Sequence, residues 1–169
     1  YTPRWAHCDD NHAWVEVFVD GEWHFLGACE PEEVLDTGWF SGPANRAILI
    51  HTRNFSDYVK ESNEEYLGKE GALYYFNHTD FYGRTKLVKI LVKDENGKPA
   101  AGAHIAVEIL NMAEFFPAAV MIADADGEVQ MTLGLGDIRV RAFDGIRRAE
   151  AMMRIEEEDS LELVLQEEA

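Results

Sequence analysis

At 169 residues and a formal net charge of −17, the chain can form one large or two small domains, each with its own core. It is too acidic for most approaches to nucleic-acid phosphates. Its apolar share of 47% is ordinary for a globular protein, no run of about 18 apolar residues offers a transmembrane segment, and two cysteines, Cys8 and Cys29, are too few for a disulfide framework. The acidity is spread: 15 Asp+Glu against 5 Lys+Arg up to Gly83, and 17 against 10 beyond. Solubility alone accounts for that distribution. Residues 1 to 10 carry neither the basic nor the apolar part of a signal peptide. With no methionine at position 1, we expect an excerpt from a longer protein.

The most informative stretch is residues 12 to 31, HAWVEVFVDGEWHFLGACEP. His12 to Val19 alternates as a β-branched and aromatic run of period two. Asp20-Gly21 is the strongest short hairpin signal, because a type I′ turn needs positive φ at both central residues. Glu22 to Ala28 returns as the second strand. The turn sets Val19 opposite Glu22 and Val15 opposite Leu26, and directly opposed residues share a face. Trp14, Glu16, Phe18, Trp23 and Phe25 then share one face, with His12 at the mouth of the hairpin. Continued regularly, the register puts Cys29 opposite His12 and Gly27 diagonal to it.

Pro31 suits the first turn of a short helix over Glu32 to Asp36, ended by Thr37-Gly38. Trp39 to Pro43 reads as a loop and Arg46 to Arg53 as a buried strand. Ser62 and Glu65 are spaced as a capping box before a short helix. Ala72 to Phe76 is a further apolar run, Asn77 to Gly83 a polar link, and the domain boundary falls near Gly83.

Beyond it, short strands alternate with turn chemistry: Thr85 to Lys93, His104 to Leu110, Ala118 to Ala123, Glu128 to Leu133, Ile138 to Phe143, Ile146 to Ile155 and Leu161 to Leu165. A seven-stranded β-sandwich is expected over residues 84 to 169. Asn111 to Pro117 reads as a link whose Phe115 and Phe116 cover the sandwich end or dock on the first domain. The fold class is therefore mainly β.

Asp124-Ala-Asp126-Gly127 matches part of a calcium loop, but Ile122 and Leu133 stand where oxygen ligands would be needed, so it is a turn. His7, Cys8, Asp9, Asp10 and His12 contain ligand types without the paired spacings of structural zinc sites. Neither a metal nor a cofactor is expected. His24, His51, His78 and His104 have no motif context and read as surface or satisfied core residues. The sequons at Asn54 and Asn77 are of a kind common by chance.

The His-Ala-Trp opening and the Trp-bearing return strand resemble the transglutaminase-like superfamily, in a bacterial subgroup where the core is followed by β-sandwich modules. The likeness covers residues 1 to about 56, from TPRWAHCDDNHAWVEV through FLGACEP to GWFSGPANRAILIHT. It implies that residues 1 to 83 are the β half of a papain-like α+β core. His12 would then be the catalytic histidine, with Trp14 supporting it and the nucleophilic cysteine upstream of Tyr1. Trp23 and Leu26 match the lead-in to the family's aspartate, whose place is taken by Gly27. Glu30, Asp10 or Asp9 could substitute for that acid. Cys29 reads either as a dyad partner of His12 or, in preference, as a small buried strand residue.

The second half, KILVKDENGKPAAGAHIAVEIL and DADGEVQMTLGLGDIRVRA, resembles the carboxypeptidase-regulatory-like or transthyretin-like sandwich through Asp94, Gly97, Pro99, Gly102, Ala103, Asp124 and Gly127. The parent protein would act on a protein or peptide substrate by Cys-His acyl transfer or amide hydrolysis, in the bacterial cell envelope or outside the cell. Residues 1 to 169 alone would be inactive. The alternative is a non-catalytic surface or interaction module with a degenerate triad. A core lacking its helical half would expose an apolar face, or bury it in a homodimer.

Overall fold

The computed structural model describes residues 4–5, 12–54, 64–111 and 113–167. The described chain is mainly β, with two four-residue helices. In order it forms β1 (Arg4–Trp5), β2 (Val15–Val19), β3 (Glu22–Leu26), α1 (Ser41–Ala44), β4 (Ala47–Leu49), β5 (His51–Asn54), β6 (Glu65–Glu70), β7 (Leu73–Asn77), α2 (Thr79–Tyr82), β8 (Thr85–Lys93), β9 (His104–Asn111), β10 (Glu114–Ile122), β11 (Glu128–Gly134), β12 (Asp137–Phe143), β13 (Arg147–Arg154), β14 (Ser160–Val164) and β15 (Gln166–Glu167). No helix among the described residues is long and apolar enough to cross a membrane.

The hairpin β2-β3 pairs Val15 with Leu26, Glu16 with Phe25, Val17 with His24, Phe18 with Trp23 and Val19 with Glu22. That register follows from its turn, since Asp20 and Gly21 take φ of 53° and 87°. On the aromatic face Trp14 is buried and Glu16, Trp23 and Phe25 are half-buried, while Phe18 beside the turn is exposed, as are Val15, Val17 and Val19 on the other face. The ladder is shorter than its alternation suggests, starting at Val15 and stopping at Leu26.

The expected helix over Glu32 to Asp36 is absent, and those residues form bends and a turn. Asp36 instead completes the edge of β3. Its Oδ1 accepts from the Phe25 N–H at 2.9 Å, its own N–H donates to the Phe25 carbonyl at 2.9 Å, and Oδ2 meets His24 Nδ1 at 2.8 Å. A positive φ of 62° at Asp36 is incompatible with a helix there. The loop expected at Ser41 to Pro43 is wound into α1. The single strand expected over Arg46 to Arg53 divides at Ile50, whose backbone is captured by α2: its N–H donates to Thr79 Oγ1 and its carbonyl accepts from the His78 N–H, both at 2.9 Å. The helix expected after Ser62 is replaced by strand β6; residues 55–63 lie outside the described residues.

Beyond Gly83 one sheet runs β10-β9-β12-β13-β15 and another β11-β8-β14. Inward residues of both, among them Val88, Ile90, Ile105, Val107, Met131, Ile138, Val140 and Leu163, belong to one hydrophobic core, a sandwich-like arrangement. Alternation of buried and exposed positions made these strands legible, and aspartates punctuate them. Asp124 Oδ1 accepts from the N–H groups of Asp126 and Glu128, both at 2.9 Å, so the stretch that matches a calcium loop is a turn held by its own backbone.

Asn111 to Pro117 is the exception. The chain turns tightly at Ala113, with φ of 64°, and β10 begins at Glu114, so Phe115 and Phe116 are strand residues. Pro117 sits at a register shift on a strand at the end of its sheet, where a missing N–H is tolerated. The Arg139 guanidinium lies 3.9 Å from the Phe115 ring centre, and Arg139 and Arg141 grip the buried Glu108 carboxylate at 2.6 and 2.7 Å.

Packing runs across the Gly83 boundary. Ile48 and Leu49 of β4 share the core of the two large sheets. Asn77 Nδ2 donates to the Thr132 carbonyl at 2.6 Å, and Glu65 accepts from the Thr132 N–H at 3.1 Å. A Cβ on Gly134 would lie 1.9 Å from the Ala47 carbonyl oxygen, so the two backbones meet where only glycine fits.

Candidate functional site

His12 is half-buried just before β2. Its imidazole lies 4.6 Å from the Trp39 ring centre, 5.1 Å from Phe40 and 5.9 Å from Trp14. Phe40 is 1% exposed and stacks on Trp14 at 4.6 Å and 17°. Trp39 is exposed and crosses Phe40 edge-on. These rings form an aromatic wall against the histidine. Burial lowers its pKa below the ordinary histidine value, which favours the neutral, proton-accepting imidazole at neutral pH.

Trp14 is brought to His12 as expected. Asp10 and its alternative Asp9, with His7 and Cys8, lie outside the described residues. Glu30 is exposed in a bend over residues 28–30. Cys29 is a free, exposed thiol in the same bend. Its expected burial in a regular strand is corrected, because β3 ends at Leu26.

Gly27 explains that ending. It is buried, and a Cβ there would stand 2.6 Å from the Glu30 carbonyl oxygen. The chain folds back on itself over a position where any side chain collides with backbone. Gly27→Asp is thus expected to destabilise the hairpin by about 2–3 kcal/mol. A lowered urea midpoint would register the strain, and an unchanged one would show that the turn can shift aside.

Sequence reasoning missed the buried network behind His12. Trp14 Nε1–H donates to the Tyr82 hydroxyl at 2.8 Å, and that hydroxyl donates to Glu16 Oε1. Glu16 Oε2 meets His78 Nδ1 at 2.9 Å, and His78 Nε2 meets Glu64 Oε1 at 2.8 Å. His78 and Glu64 are fully enclosed. Burial, then the Glu16 carboxylate, push the Tyr82 pKa up, so its hydroxyl keeps its proton. Because both imidazole nitrogens face carboxylates, the His78 ring bridges two acids and leaves no nitrogen for a metal. Among the described residues no group of three or more His, Cys, Asp or Glu side chains is placed to hold a metal ion. A groove of about 310 Å³, lined by Ala13, Trp14, Glu16, Trp23 and Arg53 among others, opens beside this network. One signal was available: Glu16 falls between Trp14 and Phe18 on the inward face, and an inward carboxylate requires a partner.

His51, at the start of β5, is 8% exposed and edge-on to Tyr75. Burial lowers its pKa from 6.5 to about 4. Between those values the unfolded chain binds the proton and the folded one does not, so stability is full above pH 6.5 and falls as pH drops toward 4. The difference is on the order of 3 kcal/mol. Urea unfolding of His51→Gln should lack that part of the slope, and equal slopes for both proteins would refute it.

No protein-family model matches this chain, and no curated protein sequence matches it significantly.

Proposed function

We propose that the first domain is the histidine-bearing β half of a transglutaminase-like core, and that His12 is the general base and acid of a Cys-His acyl transfer. The observation that carries this reading is the His12 imidazole, half-buried against Trp39 and Phe40 with its pKa lowered by burial. A cysteine N-terminal to Tyr1 in a longer protein supplies the nucleophile. His12 takes the thiol proton as sulfur attacks the carbonyl carbon of a protein or peptide carboxamide, and returns it to the departing amine. An amine or water then attacks the thioester, its proton again passing to His12. With glycine at position 27, Glu30, Asp10 or Asp9 takes the place of the orienting acid, and packing against Trp39 and Phe40 adds to the orientation of the ring. The resemblance puts such a protein in the bacterial cell envelope or outside the cell.

The test is hydroxamate formation from a glutamine peptide and hydroxylamine. Activity is expected in the protein that carries the upstream sequence, not in residues 1 to 169 alone, and is expected to disappear in His12→Ala. Undiminished activity in that variant would overturn the proposal.

A second reading, a non-catalytic interaction module, is favoured by a separate observation. Val15, Val17 and Val19 are exposed on the outer face of the hairpin. In this reading the face is closed by a second copy of the chain. A monomeric mass in solution would count against that closure.

A further inference from the structure

The acid that would orient His12 is missing at Gly27, yet the imidazole faces rings whose own freedom is restricted. Trp14 is 8% exposed, stacked on Phe40 and pinned at its indole nitrogen by the Tyr82 hydroxyl. A ring held on its face and at its edge cannot turn without breaking one of the two contacts. Tyr82 is held in turn because its proton is donated to Glu16. The other Glu16 oxygen rests on His78, whose second nitrogen is held by Glu64 and whose backbone N–H donates to the Ile50 carbonyl. The series ends in backbone, so its near end is fixed relative to the sheet β5-β7-β6.

We infer that Glu16 and Tyr82 are positioning residues for His12, acting through Trp14 and Phe40. The inference rests on the reading of His12 as the general base, and deepens it by naming residues that hold the aromatic wall beside it. Neither residue touches the reacting atoms. A misplacement of about 1 Å can cost on the order of 10²-fold in rate, so a remote tether of this kind is felt in turnover.

The side-chain chemistry separates a tether from a charge. In Glu16→Gln the amide oxygen still accepts from Tyr82, and the amide N–H can donate to His78 Nδ1 while His78 Nε2–H donates to Glu64. Glu16→Ala releases Tyr82, and Tyr82→Phe keeps the ring but drops the contact to Trp14. The measurement is an NMR titration of the His12 imidazole in the 169-residue chain, which needs no substrate. Wild type and Glu16→Gln should titrate together, below the ordinary histidine midpoint. Tyr82→Phe and Glu16→Ala should move the midpoint up toward about 6.5 as the wall loosens. In the longer protein the same two variants should lower kcat about tenfold or more with KM unchanged. An unmoved midpoint in Tyr82→Phe, which preserves the packing, would overturn the inference. A moved midpoint in a protein whose activity is independent of His12 would uphold the positioning and overturn the acyl-transfer reading.

Discussion

On the reading proposed above, replacing His12 by alanine in the protein that carries the upstream sequence is expected to lower acyl-transfer turnover by about 10³ to 10⁴-fold while leaving the fold intact. Both halves of that expectation come from its surroundings. The ring is half-buried beside Trp39 and Phe40. Replacing a half-buried side chain should cost about 1 kcal/mol. The catalytic loss follows from the proton that a thiol must give up before attack. Without a base in reach, thiolate forms only to the extent that the cysteine ionises alone. The pH profile carries a sign as well. Burial lowers the His12 pKa, so the unprotonated base persists below the usual histidine range and the acidic limb of kcat/KM should fall below about pH 6.5. Unfolding midpoints, kcat and the pH profile, measured together on wild type and His12→Ala, would separate a catalytic role from a structural one. A large drop in stability with a small drop in kcat would assign His12 to the aromatic wall alone.

What could be read from the sequence was what local chemistry determines. Asp20-Gly21 specified a turn, the turn specified the register, and the register placed Trp14, Glu16, Phe18, Trp23 and Phe25 on one face. Strands β8 to β14 were legible for the same reason, the first part of β10 excepted, since alternation is a property of neighbouring residues. The stretch from Gly27 to Ala44 was not legible. Its shape depends on contacts made elsewhere: Gly27 against the Glu30 carbonyl, Asp36 against the edge of β3, and the Phe40 ring against Trp14. A proline followed by glutamates favours a first helical turn locally, but the Asp36 carboxylate gains more from the Phe25 N–H and His24. The network was hidden by distance along the chain, since His78 lies 62 residues from Glu16 and 14 from Glu64. Pattern reading could show that Glu16 points inward, but not where its partner comes from.

His78 is where the fold depends most heavily on a polar side chain. It is fully buried between two carboxylates, and its ring also lies 4.5 Å from Phe81 and 5.1 Å from Trp23. His78→Leu fills much of the same volume but leaves Glu16 and Glu64 without the ring nitrogens that face them. Removing one partner of a buried polar contact costs about 3–5 kcal/mol, a large share of the roughly 5–15 kcal/mol that holds a domain together. A lowered urea midpoint at constant slope is the expected signature. Glu64→Leu in the same background should recover part of the loss, because the double variant no longer buries a carboxyl group that has lost its contact to the imidazole, and the two effects should be far from additive. A His78→Leu protein within about 1 kcal/mol of wild type would mean that the two acids do without the imidazole at little cost. The functional consequence follows from the direction of the hydrogen bonds. Glu16 joins the hairpin to α2, so loss of His78 loosens the carboxylate that holds Tyr82, and through Tyr82 the indole behind His12. Stability and the orientation of the candidate base are set by one buried imidazole, and a variant that weakens the first should blunt the second.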